Sequence, residues 1–110
     1  MLTSDSMRGY NDLLILATLQ KGDSYGYAIS KAIFQQVHEK YLIKETTLYS
    51  AFARLEKNQL IIAYPGKMTH GKPRTYYKIS QEGQKYLEKK KEEWHEIQTI
   101  MNLFFEEEKE

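Results

Sequence analysis

The chain has 110 residues, 41% of them apolar and 28% charged, which predicts one compact globular domain rather than a disordered segment. It contains no cysteine, so disulfide frameworks, zinc ribbons, thiol nucleophiles and iron–sulfur sites are excluded. With neither a secretory leader pattern nor a run near the ~20 apolar residues of a bilayer span, a cytoplasmic protein without a membrane partner is expected. The net charge of +1 conceals an asymmetry: residues 1–80 hold eleven Lys/Arg against six Asp/Glu, and residues 81–110 hold five against nine. That division predicts a basic working surface and a separate acidic element.

Residues 1–6 carry no periodicity and are expected to fray. A first helix fits 8–20, with Tyr10, Leu13, Leu14 and Ala17 on one face and Gly22-Asp23 as its stop. Ser24 is the expected N-cap of a second helix over 25–37, whose buried stripe is Ala28, Ile29, Ala32 and Ile33. Residues 38–43 read as a connector in which Tyr41, Leu42 and Ile43 form a short extended segment. A third helix fits 45–58, with Leu48, Ala51, Phe52 and Leu55 inward and Thr47, Ser50, Arg54 and Lys57 outward. Asn58 and Gln59 are weak terminators, so the following strand is expected to end it.

Two strands, Leu60–Tyr64 and Arg74–Ile79, flank the turn-rich stretch 65–73 and predict a β-hairpin with a long tip. Lys67, Lys72, Arg74 and Lys78 make residues 67–78 basic, with no acid among them. Ser80 then caps a helix over 81–106. In it Leu87, Trp94, Ile97, Met101 and Phe104 recur at heptad spacing, long enough to join two chains when attached to a folded domain. The final Glu-Glu-Glu-Lys-Glu is expected to be a solvated tail.

Three helices followed by a hairpin describe a winged helix-turn-helix (residues 7–79), here extended by a carboxy-terminal dimerisation helix (residues 80–106). The fold class is therefore mainly α with a small β-hairpin. In that architecture the third helix enters the DNA major groove and the wing meets the backbone or minor groove. The outward face of the third helix, with short hydroxyls and long cations, suits phosphates and base edges. A solvated helix face has the same composition, and the basic wing is what favours DNA.

Arg8-Gly9-Tyr10, Leu13-Leu14-Ile15-Leu16, Ser24-Tyr25-Gly26-Tyr27-Ala28-Ile29, Thr47-Leu48-Tyr49, Arg54-Leu55-Glu56-Lys57, Leu60-Ile61 and Arg74-Thr75-Tyr76-Tyr77-Lys78-Ile79 occur in this order. Over residues 8 to about 95 the chain resembles the PadR family of bacterial transcriptional regulators, in its short form with a single carboxy-terminal helix. The resemblance implies repression of a promoter by a homodimer, relieved when a small molecule loosens the dimer. Two positions depart from the family pattern. The wing has Lys72-Pro73-Arg74 where three basic residues often stand, which implies fewer phosphate contacts. Lys44 stands where a small N-cap residue is common and opposes the helix dipole unless a phosphate is near.

The candidate DNA-binding residues are Tyr25, Lys44, Thr46, Thr47, Tyr49, Ser50, Arg54, Lys67, Lys72 and Arg74. Tyr49 either reaches a phosphate or packs on the second helix, and Tyr27 carries the same two readings. The candidate dimer interface is Leu87, Trp94, Ile97, Met101 and Phe104. Trp94 is either interface core or, as the resemblance implies, a plate on which a small planar aromatic ligand stacks, with Met7, Met101 and Phe104 completing the lining. His38, His70 and His95 lack metal-ligand spacing, His70 being placed to touch DNA from the wing tip. No cofactor is expected, and no catalytic arrangement or phosphate-binding glycine loop is visible, so an enzyme is not expected. The partners expected are double-stranded DNA and a second copy of the chain. Two other classes remain open: a winged-helix protein-interaction module, and a nonspecific architectural DNA binder.

Overall fold

The computed structural model describes residues 2–106. Its elements are α1 (Asn11–Gln20), β1 (Ser24–Tyr25), α2 (Gly26–Gln36), α3 (Glu45–Lys57), β2 (Ile61–Pro65), β3 (Thr75–Ile79) and α4 (Gln81–Phe105). The order of helices, hairpin and long helix is as expected, and the fold is mainly α with a small β wing. The last four residues of the expected acidic tail lie outside the described residues.

The sheet has a third strand that the sequence reading missed, in the antiparallel order β1–β3–β2. Ser24 pairs with Tyr77 and Tyr25 with Tyr76, so Ser24 is not the expected cap. Tyr25, extended at φ −126° and ψ 167°, is the residue from which α2 departs, and its side chain makes no capping hydrogen bond.

Leu48, Ala51, Phe52 and Leu55 of α3 are buried as the periodicity requires, with Phe52 stacked on Tyr77 at 4.2 Å. In α2, Ile29 and Ile33 are buried but Ala32 is exposed. The inward face of α1 is Asn11, Ile15, Leu16 and Leu19, whereas the expected stripe of Tyr10, Leu13, Leu14 and Ala17 is only half-buried. The sequence of α1 is apolar almost all round, so periodicity could not choose between faces. One face meets the core and the other turns toward α4. In the connector, Tyr41 and Ile43 are buried and Leu42 exposed; the Tyr41 hydroxyl donates to Asn11 Oδ1 at 2.6 Å, satisfying that buried amide oxygen.

Both helices of the helix-turn-helix end in a Schellman motif. At the end of α2, the Glu39 and His38 amides donate to the Phe34 and Gln35 carbonyls at 2.7 and 3.1 Å. At the end of α3, the Leu60 and Gln59 amides donate to the Leu55 and Glu56 carbonyls at 2.9 and 3.0 Å. His38 and Gln59 take the left-handed position, at φ 57° and 62°. So α3 is stopped by its own backbone turn rather than by the strand after it.

Ser80 caps α4 as expected, accepting from the Gly83 amide at 2.9 Å. Its hydroxyl donates to the Gln59 carbonyl at 2.7 Å, which ties the start of α4 to the end of α3. Residues 4–10 do not fray but form successive turns, with the Met7 amide donating to the Thr3 carbonyl at 3.1 Å and the Tyr10 amide to Met7 at 2.8 Å.

Candidate nucleic-acid interface

The wing carries an aromatic ladder on one face. Tyr25, Tyr76 and Tyr64 stand opposite one another across β1, β3 and β2, with ring centroids 5.4 and 6.0 Å apart. The Tyr64 hydroxyl donates to Asp23 Oδ2 at 2.6 Å, and this bond holds its pKa above the ordinary tyrosine value. The ladder fixes the base of the wing against the start of α2. Arg74 directly precedes β3 beside this ladder, its guanidinium carbon 5.1 Å from the Tyr25 ring centroid, a cation–π contact. Its Nε is shielded from solvent and finds no partner among the described residues.

Tyr49, on the first turns of α3, is half-exposed and lies against Gly26, its hydroxyl 2.6 Å from where a Cβ on that glycine would stand. Tyr49 therefore packs on the second helix and still presents an edge to solvent. Gly26, Tyr27, Ser30, Lys44, Tyr49, His70 and Arg74 line an open groove of about 670 Å³ between the wing, α2 and α3. Of the sequence candidates, Lys44, Tyr49 and Arg74 line this groove, and Tyr25 joins Tyr49 and Arg74 in a smaller pocket beside it. The amino-terminal ends of α2 and α3, neither closed by a side-chain cap, border the same region and add their dipoles. Lys67 and Lys72 stand apart, exposed on the tip. There His70 and Gly71 both have positive φ, and Thr69 and Lys72 exchange backbone hydrogen bonds of 2.8 and 3.0 Å. The long tip is thus itself a small hairpin with a two-residue turn.

The outer face of α3 has a different setting from the one expected. Thr46, Thr47, Ser50 and Arg54 line a second open groove, of about 700 Å³, whose opposite wall is Ser4, Asp5, Arg8, Gly9 and the start of α1. The Thr47 hydroxyl donates to Ser4 Oγ at 3.4 Å, and Asp5 pairs with Arg8. Arg54 is not a free cation: its Nε and Nη2 donate to Asp12 of α1 at 3.1 and 2.6 Å, a bond that raises the guanidinium pKa. The acid absent from this face of α3 is supplied from α1, and sequence reasoning missed it. The two residues are 42 apart, and Asp12 reads locally as an ordinary first-turn acid.

The long helix also departs from expectation. Leu87, expected at the dimer interface, is 1% exposed and belongs to the chain's own core, so it anchors α4 rather than meeting a partner. Trp94 (38% exposed), Ile97, Met101 and Phe104 (80%) are open to solvent, as are Ile100, Leu103 and Phe105 off the heptad seam. Trp94 borders an apolar groove of about 810 Å³ with Met7, Tyr10, Leu13, Leu14, Ala17 and Leu87. Met7 joins this lining as expected, and Met101 and Phe104 lie outside it. None of the helices described is long and apolar enough to cross a membrane.

Residues 15–89 match the transcriptional regulator PadR-like family. A transcriptional regulator from Clostridium thermocellum is 53% identical, with a TM-score of 0.87 over 96% of this chain and 100% of that one. A PadR family regulator from Clostridium difficile R20291 is 40% identical, with a TM-score of 0.75 over 87% of this chain and 98% of that one. Bacillus subtilis PadR, solved in complex with operator DNA, shares the fold at 20% identity and a TM-score of 0.65, over 76% of this chain and 46% of that one. The chain belongs to the PadR-like family of transcriptional regulators.

Proposed function

We propose that the chain is a homodimeric, sequence-specific DNA-binding repressor acting on a pseudo-palindromic operator. The observation that carries this reading is the convergence of Tyr25, Lys44, Tyr49 and Arg74 where the wing base meets the amino-terminal ends of α2 and α3. Cations, hydroxyls and two helix dipoles at one edge suit a phosphate backbone. Thr46, Thr47, Ser50 and Arg54 are the groups for base edges in the major groove, and Lys67 and Lys72 follow the backbone from the wing tip. Operator DNA bound to the Bacillus subtilis relative supports the same use of the fold.

The dimer uses Trp94, Ile97, Met101 and Phe104, an exposed apolar face that needs covering in water. Two reading heads then meet successive major grooves about 34–36 Å apart. The indole of Trp94, at the mouth of the apolar groove, stacks a small planar aromatic ligand whose preference for one dimer geometry shifts the spacing of the heads.

The test is selection of duplexes from a randomised pool, followed by anisotropy titration of the enriched duplex and a scrambled version at two salt concentrations. Enrichment of a two-fold repeat, with preference surviving at higher salt, supports the reading. Equal, salt-labile binding to both duplexes indicates an architectural binder, and no binding at low salt indicates a protein-interaction module. Either result overturns it.

A further inference from the structure

We propose that Asp12 is a positioning residue that makes Arg54 a reader of sequence rather than a general phosphate contact, an inference that rests on the DNA-binding function proposed above. The guanidinium has five N–H donors in a planar fork. Asp12 takes Nε and one hydrogen of Nη2, at 3.1 and 2.6 Å. The edge formed by Nη1 and the second Nη2 hydrogen is left for an outside acceptor pair. The Arg54 side chain is 53% exposed while Asp12 is 17% exposed, so the acid is the enclosed partner of the pair and the arginine the one open to an outside acceptor.

Two consequences follow from elementary electrostatics. First, a long side chain that would otherwise sample many rotamers is held in one orientation, which favours a bidentate acceptor pair such as guanine O6 and N7. Second, the carboxylate balances the guanidinium charge and repels phosphates that approach it. Arg54 therefore adds little to the counterion release that drives nonspecific binding. Thr47 and Ser50 line the same groove beside this pair.

The experiment uses the enriched duplex and its scrambled version, titrated over a range of salt with wild-type protein, Asp12→Asn, Arg54→Ala and the double variant. Asp12→Asn frees one cation per protomer. Binding to the scrambled duplex should tighten, its log–log salt slope should steepen by about 0.9 per protomer, and the preference between duplexes should fall about tenfold. Arg54→Ala loses the preference without steepening the slope. In its preference between the duplexes the double variant should match Arg54→Ala alone, because Asp12 sets that preference only through Arg54; a merely structural Asp12 would add its own loss. Arg54→Lys, which keeps the charge but not the fork, should also lose the preference and serves if Asp12→Asn does not fold. Unchanged slope and preference in Asp12→Asn, a double variant worse than Arg54→Ala, or full preference in Arg54→Lys overturns the inference while leaving site-specific binding intact. Failure of the wild-type protein to distinguish the duplexes instead overturns the proposed function and this inference with it.

Discussion

The Tyr49 hydroxyl occupies the space that a side chain on Gly26 would need, 2.6 Å from the position of its Cβ. A glycine at the first turn of α2 therefore lets a residue of α3 lie across that turn. The ring also meets Phe52 edge-on, at 5.5 Å and 82°.

Gly26→Ala is expected to push the Tyr49 ring outward, since a half-exposed side chain yields more readily than backbone. The lost aromatic contact costs about 0.5–1.5 kcal/mol, partly offset by the better helix former, so the unfolding midpoint should move little. DNA affinity should fall roughly fivefold, as for loss of one hydrogen bond, and Tyr49→Phe should reproduce that loss without disturbing α2. Anisotropy titration beside urea unfolding checks both. Unchanged affinity in both variants would remove Tyr49 from the interface.

Gly83 poses the opposite case, because a Cβ there would overlap the Leu60 carbonyl oxygen and backbone must move. Gly83→Ala is expected to destabilise the fold by about 1–3 kcal/mol or more. Gln59→Gly, at the left-handed end of α3, should stabilise it by about 0.5–1 kcal/mol, relief of the left-handed strain outweighing the greater unfolded-state entropy. Urea unfolding of the two variants should shift the midpoint in opposite directions.

These contrasts show what the residues reveal alone. The stripe Leu48, Ala51, Phe52 and Leu55 was legible because α3 is sharply two-faced, and Ser80 was legible because a cap is a local feature. The inward face of α1 was not, because Leu13 and Leu14 are as apolar as Ile15 and Leu16. Leu87 fits the heptad seam as well as Trp94 does, and only the packing of the first turns of α4 against the core separates them. Lys44, Tyr49 and Arg74 carried visible chemistry for the candidate site, whereas the Asp12–Arg54 pair is a long-range contact with no periodic signature.

Tyr41 and Asn11 form a buried pair linked by one hydrogen bond of 2.6 Å. Tyr41→Phe removes the donor, leaving the amide oxygen without it, and should cost about 1–3 kcal/mol. Adding Asn11→Leu removes the stranded acceptor, so the double variant should recover part of that loss. A double variant that is destabilised by the simple sum of the single changes would show that the two groups are not coupled.

Tyr77 gives the pH dependence its sign. The residue is 8% exposed, and burial, with Glu56 nearby as a lesser cause, raises its pKa above the ordinary value. The folded state therefore prefers the neutral phenol more strongly than the unfolded chain does. The resulting stability is fully present below the unfolded value of about 10 and is lost as pH rises from there through the folded pKa. Tyr64, raised by its bond to Asp23, acts in the same direction. Tyr77→Phe keeps the ring against Phe52 while removing the ionisable group. Chemical unfolding at a series of pH values should show a shallower loss of stability above pH ~10 in this variant than in the wild type. An identical alkaline limb in both proteins would mean that the phenolate is accommodated at this site, and burial of Tyr77 would then not set the alkaline limit of the fold.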